Sequence, residues 1–205
     1  LQGVWRAIVK ATTRIMVAGF GLISALLCVS SVEAAMTTRG PTSQPVGHYD
    51  FCRSYPEECQ RNSNIGVVRI TDRTWAKIMD VNAAVNTGIK ARTDQEIYGV
   101  PERWAFPTTE GDCEDFALLK QYMLEREGFP RSALLLTVVR QPNGDGHAVL
   151  TVRTDRGDLV LDNLDGRVLD WTLTPYQYLK RQAVDDSSRW VSIDDGRDML
   201  VGSVR

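Results

Sequence analysis

The sequence predicts an α+β fold, and three features predict it. The first half carries two segments with apolar residues at helical spacing, around Trp75–Val85 and Phe116–Leu124. The second half carries aliphatic and β-branched runs, "SALLLTVVR", "HAVLTVR" and "DLVLDN". The turns between those runs, "QPNGDG" and "TDRG", are too short for a helical crossover, so successive strands must be antiparallel. Helices followed by a meander give α+β rather than alternating α/β.

A chain of 205 residues, 43% hydrophobic and 24% charged, holds one domain with a sizeable core plus some extra sequence. Its net charge of −2 gives no basic excess of the kind that nucleic-acid binding needs.

Residues 1–35 differ in kind. Arg6, Lys10 and Arg14 precede the uncharged run Ile15–Val32, and small residues follow at Val32, Ala34 and Ala35. This order predicts a secretory signal cleaved near Ala34 or Ala35, although the run is also long enough for an uncleaved anchor. Cys28 falls inside it. Export implies an oxidising compartment, where Cys52 and Cys59 can close the loop "CRSYPEEC". Cys113 is then unpaired, and such a cysteine is either reactive or a buried core residue.

Residues 36–64, rich in Pro, Ser, Thr, Gly and Asn, predict a loosely structured N-terminal arm, with the folded domain at 65–205. "TDRTWAKIMDVNAAVNTGIKA" predicts a helix capped by Thr71 or Asp72. "RTDQEIYGVPERWAFPTTEGD" is expected to be a loop with three turn clusters. A second helix is expected from about Cys113 to Arg126, with Asp112 as N-cap and Gly128 and Pro130 ending it. Strands are expected over Ser132–Arg140, His147–Arg153 and Asp158–Asn163. "DGRVLDW" predicts a further turn and strand, and "TPYQYLKRQA" a short helix after Thr174 or Pro175.

The sequence holds two histidines, His48 and His147. If Thr154 pairs with Gly157 across a two-residue turn, Val149 faces Asp162 and His147 is the diagonal neighbour on the same face. Cys113 opens a helix, where the positive end of the macrodipole favours thiolate. A thiol, an imidazole that takes its proton and a carboxylate that fixes the imidazole's tautomer make a Cys113–His147–Asp162 triad. Backbone N–H groups at the helix start supply part of an oxyanion hole, and the Trp104 indole is a candidate further donor.

"GDCEDFALLK", "GHAVLTV" and "VLDNL" resemble the Cys, His and Asp blocks of the bacterial transglutaminase-like cysteine proteinases. "VNAAVNTGIKARTD" and "PERWAFPTTEGDCED" resemble the helix and the approach loop before that family's nucleophile, so the likeness runs from about Ile65 to Ile193. The resemblance implies a papain- or transglutaminase-like core, with the nucleophile helix packed on an antiparallel sheet. It also implies Cys113 as nucleophile, His147 as general base and then acid, and Asp162 as orienting carboxylate. One branch of the family cuts large biofilm adhesins in the periplasm, answers to an inner-membrane receptor and needs calcium. That implies calcium ligands at Asp112 and Glu114, with Asp115 as a third and Glu110, Asp145, carbonyls or water completing the shell. The same acids can also serve as an N-cap and as first-turn residues favoured by the helix dipole. A transglutaminase-type amide transfer and a non-catalytic binding module with a relict triad are the alternatives to peptide hydrolysis.

Overall fold

A computed structural model describes residues 35–196. The predicted leader, Cys28 included, lies outside the described residues except for Ala35. In chain order the elements are β1 (Thr37–Thr42), α1 (Val46–Ser54), α2 (Asp72–Gly88), β2 (Lys90–Ala91), α3 (Asp94–Tyr98), β3 (Glu110–Gly111), α4 (Cys113–Arg126), β4 (Leu134–Arg140), β5 (Gly146–Thr154), β6 (Gly157–Leu161), β7 (Leu169–Asp170), β8 (Gln177–Gln182) and β9 (Trp190–Asp194). Among the described residues, seven strands form one sheet in the order β1-β9-β8-β4-β5-β6-β7, every neighbour antiparallel. The fold is mixed helix and antiparallel sheet, as the sequence predicts.

The two long helices start and stop where local chemistry dictates. Thr71 caps α2 in a reciprocal capping box with Thr74. After α4, Gly128 takes φ +89°, and the Phe129 N–H returns to the Leu124 carbonyl at 3.2 Å. Ile78, Val81 and Val85 of α2 and Phe116 and Leu124 of α4 pack with Leu134, Leu136, Leu150 and Val152 of the sheet. Each such aliphatic side chain, fully buried, contributes about 1.5–3 kcal/mol. A second cluster holds Val139, Val149, Val160, Trp171, Tyr176 and Tyr178.

Three expectations are corrected. Residues 36–64 are not loose: β1 pairs with β9, His48 and Phe51 are fully buried, and Cys52 and Cys59 are disulfide-bonded. Composition reads as loop there, but a few large buried side chains anchor the segment. Residues 94–98 form a short helix, because Thr93 and Glu96 make a capping box and Gly99 closes it at φ +71°. The expected helix after Thr174 is instead strand β8, which fills the slot between β9 and β4. The unpaired donors and acceptors on that side of β4 require a strand, and tertiary demand outweighs local propensity.

The β5–β6 register is the predicted one. Thr154 faces Gly157 and Leu150 faces Leu161, so Asp162 follows directly after the last paired residue of β6.

Candidate active site

The hairpin brings His147 and Asp162 together. His147 Nε2 and Asp162 Oδ1 are 2.8 Å apart, both side chains buried. The same carboxylate accepts the Tyr176 hydroxyl on Oδ2 and the Leu164 N–H on Oδ1. Burial pushes Asp162 up, but these hydrogen bonds outweigh it and hold the group below the ordinary carboxylate range. The Tyr176 ring packs beside the imidazole, with centroids 5.5 Å apart. Engagement of Nε2 by Asp162 leaves Nδ1 as the ring nitrogen that could exchange a proton with another group.

Cys113 is the first residue of α4, and α4 packs on β4 and β5. The Ala148 N–H, one residue along β5 from His147, interacts with the Cys113 sulfur. The thiol itself donates to Glu114 Oε2 at 3.1 Å. The expectation that the helix terminus favours thiolate is therefore corrected. Burial first, and the adjacent Glu114 charge second, push the thiol well above its ordinary value.

Trp104 is buried in the core, and its Nε1–H donates to Glu102 Oε1 at 2.7 Å. Its ring meets His48 and Trp190 edge-on.

Around Cys113 the carboxylates converge, with one partner that the sequence does not suggest. Parallel pairing of β2 with β3 sets Ala91 beside Gly111, and the Arg92 N–H bonds the Gly111 carbonyl at 2.9 Å. That crossing delivers Asp94 to the start of α4. Carboxylate oxygens of Asp94, Asp112 and Glu114 all lie within 4.8 Å of one another. Asp112 occupies the N-cap position but makes no capping bond; its Oδ2 accepts the Asp94 N–H at 3.3 Å. Asp115 stands beside the group, with Oδ1 accepting the Ala105 N–H at 2.8 Å. Glu110 pairs with Lys90 and Arg92, and Asp145 bonds Asn143 in the β4–β5 turn, so both face other partners.

Three oxygens in this region, Asp94 Oδ1, Asp112 Oδ1 and Asp115 Oδ2, are buried with no hydrogen-bond partner among the described residues. Burial first pushes all four up, Asp94 to about 6 and Asp115 to about 8; neighbouring carboxylate charge adds to the rise at Glu114, Asp94 and Asp115, whereas hydrogen bonds, that with Glu114 first, offset part of it at Asp112. Buried, unpartnered, mutually repelling carboxylate oxygens are a donor set for a hard divalent cation. Gly111 makes the packing possible: a Cβ there would stand 2.8 Å from the Asp115 Cβ and Oδ2.

No curated protein matches the sequence. Among solved structures, the chain is similar to Legionella pneumophila LapG in its calcium-bound form, 26% identical over 52% of this chain and 64% of that one, with a TM-score of 0.47. The EGTA-treated form of the same protein aligns at 22% identity over 62% and 74% of the two chains, with a TM-score of 0.49. The chain thus spans less than two thirds of the calcium-bound relative. Residues 38–198 match the sequence profile described as bacterial transglutaminase-like cysteine proteinase, so most of the described chain lies inside that match and the protein belongs to that family.

Proposed function

We propose that the protein is a cysteine endopeptidase in which Cys113 is the nucleophile, His147 the general base and acid, and Asp162 the residue that orients the imidazole. The observation that carries this reading is the 2.8 Å contact between His147 and Asp162, with the Cys113 sulfur held against the next residue of the same strand. The imidazole takes the thiol proton, and sulfur bonds to the peptide carbonyl carbon. The tetrahedral intermediate then loses the amine, which leaves with the proton from the imidazolium. Water, deprotonated by His147, attacks the thioester and releases the acid and the free thiol. Backbone N–H groups at the start of α4, with Ala148, are the candidate oxyanion donors.

Calcium is part of the same proposal. Asp94, Asp112 and Glu114, with Asp115 beside them, are the residues that would hold it, and the three orphaned oxygens support that assignment. When bound, a divalent cation offsets the negative field that keeps the thiol protonated. In the proposed setting the leader at 1–35 directs the protein to the periplasm. There it cleaves an exported surface protein such as a biofilm adhesin, under an inner-membrane receptor that sequesters it.

The test is incubation of the mature protein with exported surface proteins, with calcium or with chelator. Cleavage is expected from the wild-type protein in calcium only, and none from Cys113→Ala. A Cys113→Ala protein that still cuts removes the peptidase reading.

A further inference from the structure

The loop between α3 and β3 touches the carboxylate cluster at two points, one on each side of Trp104. The Arg103 N–H donates to Asp94 Oδ2, and the Ala105 N–H donates to Asp115 Oδ1 at 2.8 Å. Each bond takes one oxygen of its carboxylate. The other oxygen, Asp94 Oδ1 or Asp115 Oδ2, stays buried with no hydrogen-bond partner among the described residues. Two backbone donors thus orient two acids of the cluster, as the groups behind metal ligands do.

Helix α1 holds that loop in place. Its backbone lies directly against the indole: a Cβ on Gly47 would stand 2.7 Å from Trp104 Nε1 and 2.9 Å from the Glu102 Cγ. His48 meets the same indole edge-on, with ring centres 5.3 Å apart. Phe51 of α1 and its C-cap Tyr55 each meet the Phe106 ring edge-on at 5.4 Å. A helix of nine residues does not persist by local forces alone. The Cys52–Cys59 disulfide ties its last turn to the following turn at Pro56–Cys59. Both cysteines are half-buried, within reach of a small dithiol.

We propose that the Cys52–Cys59 disulfide is a redox control on the cation site. With the bond closed, α1 clamps Trp104 and Phe106, and the N–H groups of Arg103 and Ala105 hold Asp94 and Asp115 in place. With the bond open, the clamp loosens and cation affinity falls. To open it, a dithiol passes two electrons and two protons to the S–S bond, which becomes two thiols while the dithiol becomes a disulfide. The inference rests on the calcium reading above and gives Trp104 and Phe106 a positioning role in it.

Calcium binding is measured by calorimetry on the oxidised protein, on protein reduced with dithiothreitol, and on reduced protein oxidised again. The temperature is one at which circular dichroism shows each form folded. Reduction should raise the dissociation constant by about 10–100-fold, and reoxidation should restore it. Cys52→Ala/Cys59→Ala should bind as the reduced protein does and ignore the reductant. Hydrogen exchange without calcium locates the effect: the Arg103 and Ala105 amides should exchange faster after reduction. A merely structural disulfide would lower the melting temperature and move neither the affinity nor these amides. Either an unchanged affinity or unmoved amides in the folded, reduced protein overturns the inference. Oxidised wild-type protein that binds no calcium overturns the calcium reading itself, and the inference with it. Where the reduced chain does not fold, Phe106→Leu reads the clamp with the disulfide intact. It should weaken calcium binding by about tenfold, and full affinity in that variant overturns the inference.

Discussion

Nε2 of His147 and Oδ1 of Asp162 meet at 2.8 Å because the turn at residues 155–156 fixes how β5 and β6 pair. Both residues lie past the last rung of the β5–β6 hairpin, Leu150 with Leu161, while His147 still pairs with Val139 of β4 on its other side. Tyr176 completes the arrangement by donating to the other carboxylate oxygen.

Asp162→Asn should keep the fold and lose the chemistry. The amide can bond the ring but carries no charge to stabilise an imidazolium. Cleavage and Cys113 alkylation should fall on the order of 10²–10⁴-fold. Tyr176→Phe removes one donor to the same carboxylate and should cost about tenfold. Equal losses for the two variants would place Tyr176 nearer the reaction than a supporting donor.

Calcium affinity should depend on Asp94 as much as on the acids beside the nucleophile. Asp94→Asn should weaken calcium binding, measured by calorimetry, by about 10–100-fold. It should also remove the effect of chelator on thermal stability. Full affinity in Asp94→Asn would exclude it from the metal site.

The carboxylate cluster sets a pH dependence with a definite sign. Asp94 and Asp115 titrate near about 6 and about 8 when folded, chiefly through burial, and near ordinary carboxylate values when unfolded. The folded chain therefore holds protons that the unfolded chain has released. Their contribution is complete at acid pH and is lost as pH rises through those folded values. In chelator the melting temperature should fall between pH 5 and pH 8 (about the span of these folded values), and saturating calcium should flatten the fall. Equal melting curves across that range in chelator would contradict the cluster's protonation.

Legibility in the sequence follows the range of the forces at work. The hairpin was readable because a two-residue turn and a period of two determine which side chains share a face. Helix α4 was readable because its start, its apolar stripe and its glycine stop are all local. Asp94 was not readable as a member of the site. It arrives through a parallel pairing of only two residues on each side, β2 with β3, which leaves no periodic signal. Strand β8 failed for a related reason. Its residues suit a helix in isolation, and what decides the matter is the bare edge of β4. In α1 the buried anchors His48 and Phe51 are single residues within loop-like composition.

Gly111→Ala should damage the site without touching a functional side chain. The added methyl would press on both the Cβ and Oδ2 of Asp115, at 2.8 Å, and on Pro107 at 3.1 Å. The Asp115 Cβ is fixed to the helix backbone and the Pro107 Cβ belongs to a ring, so the backbone ahead of Cys113 must shift. A loss of about 1–3 kcal/mol in stability and weaker calcium binding are expected, measured by denaturant melts and calorimetry. Wild-type values for both would show that the loop yields freely.

His48 should govern the acid side of the stability curve once calcium has silenced the carboxylates. It is fully buried between Phe51, Trp104 and Trp190, and its ring nitrogens face Gln44, Gln182 and the Trp190 N–H. Burial, with Arg131 adding to it, pushes its folded value down to about 3, far below that of an unfolded histidine. The folded chain keeps this ring neutral while the unfolded chain takes up a proton below about pH 6.5. Its contribution is therefore complete above that pH and is lost as pH falls toward 3, with a slope of about 1.4 kcal/mol per pH unit. His48→Gln retains an amide donor and acceptor and removes the titration. The variant should be less stable at neutral pH, because the stacked ring is gone, yet flatter between pH 6 and pH 4 (roughly the window set by the two states). Denaturant melts in calcium across that range decide it: parallel curves for wild type and His48→Gln would mean that the buried ring carries its proton in the folded state.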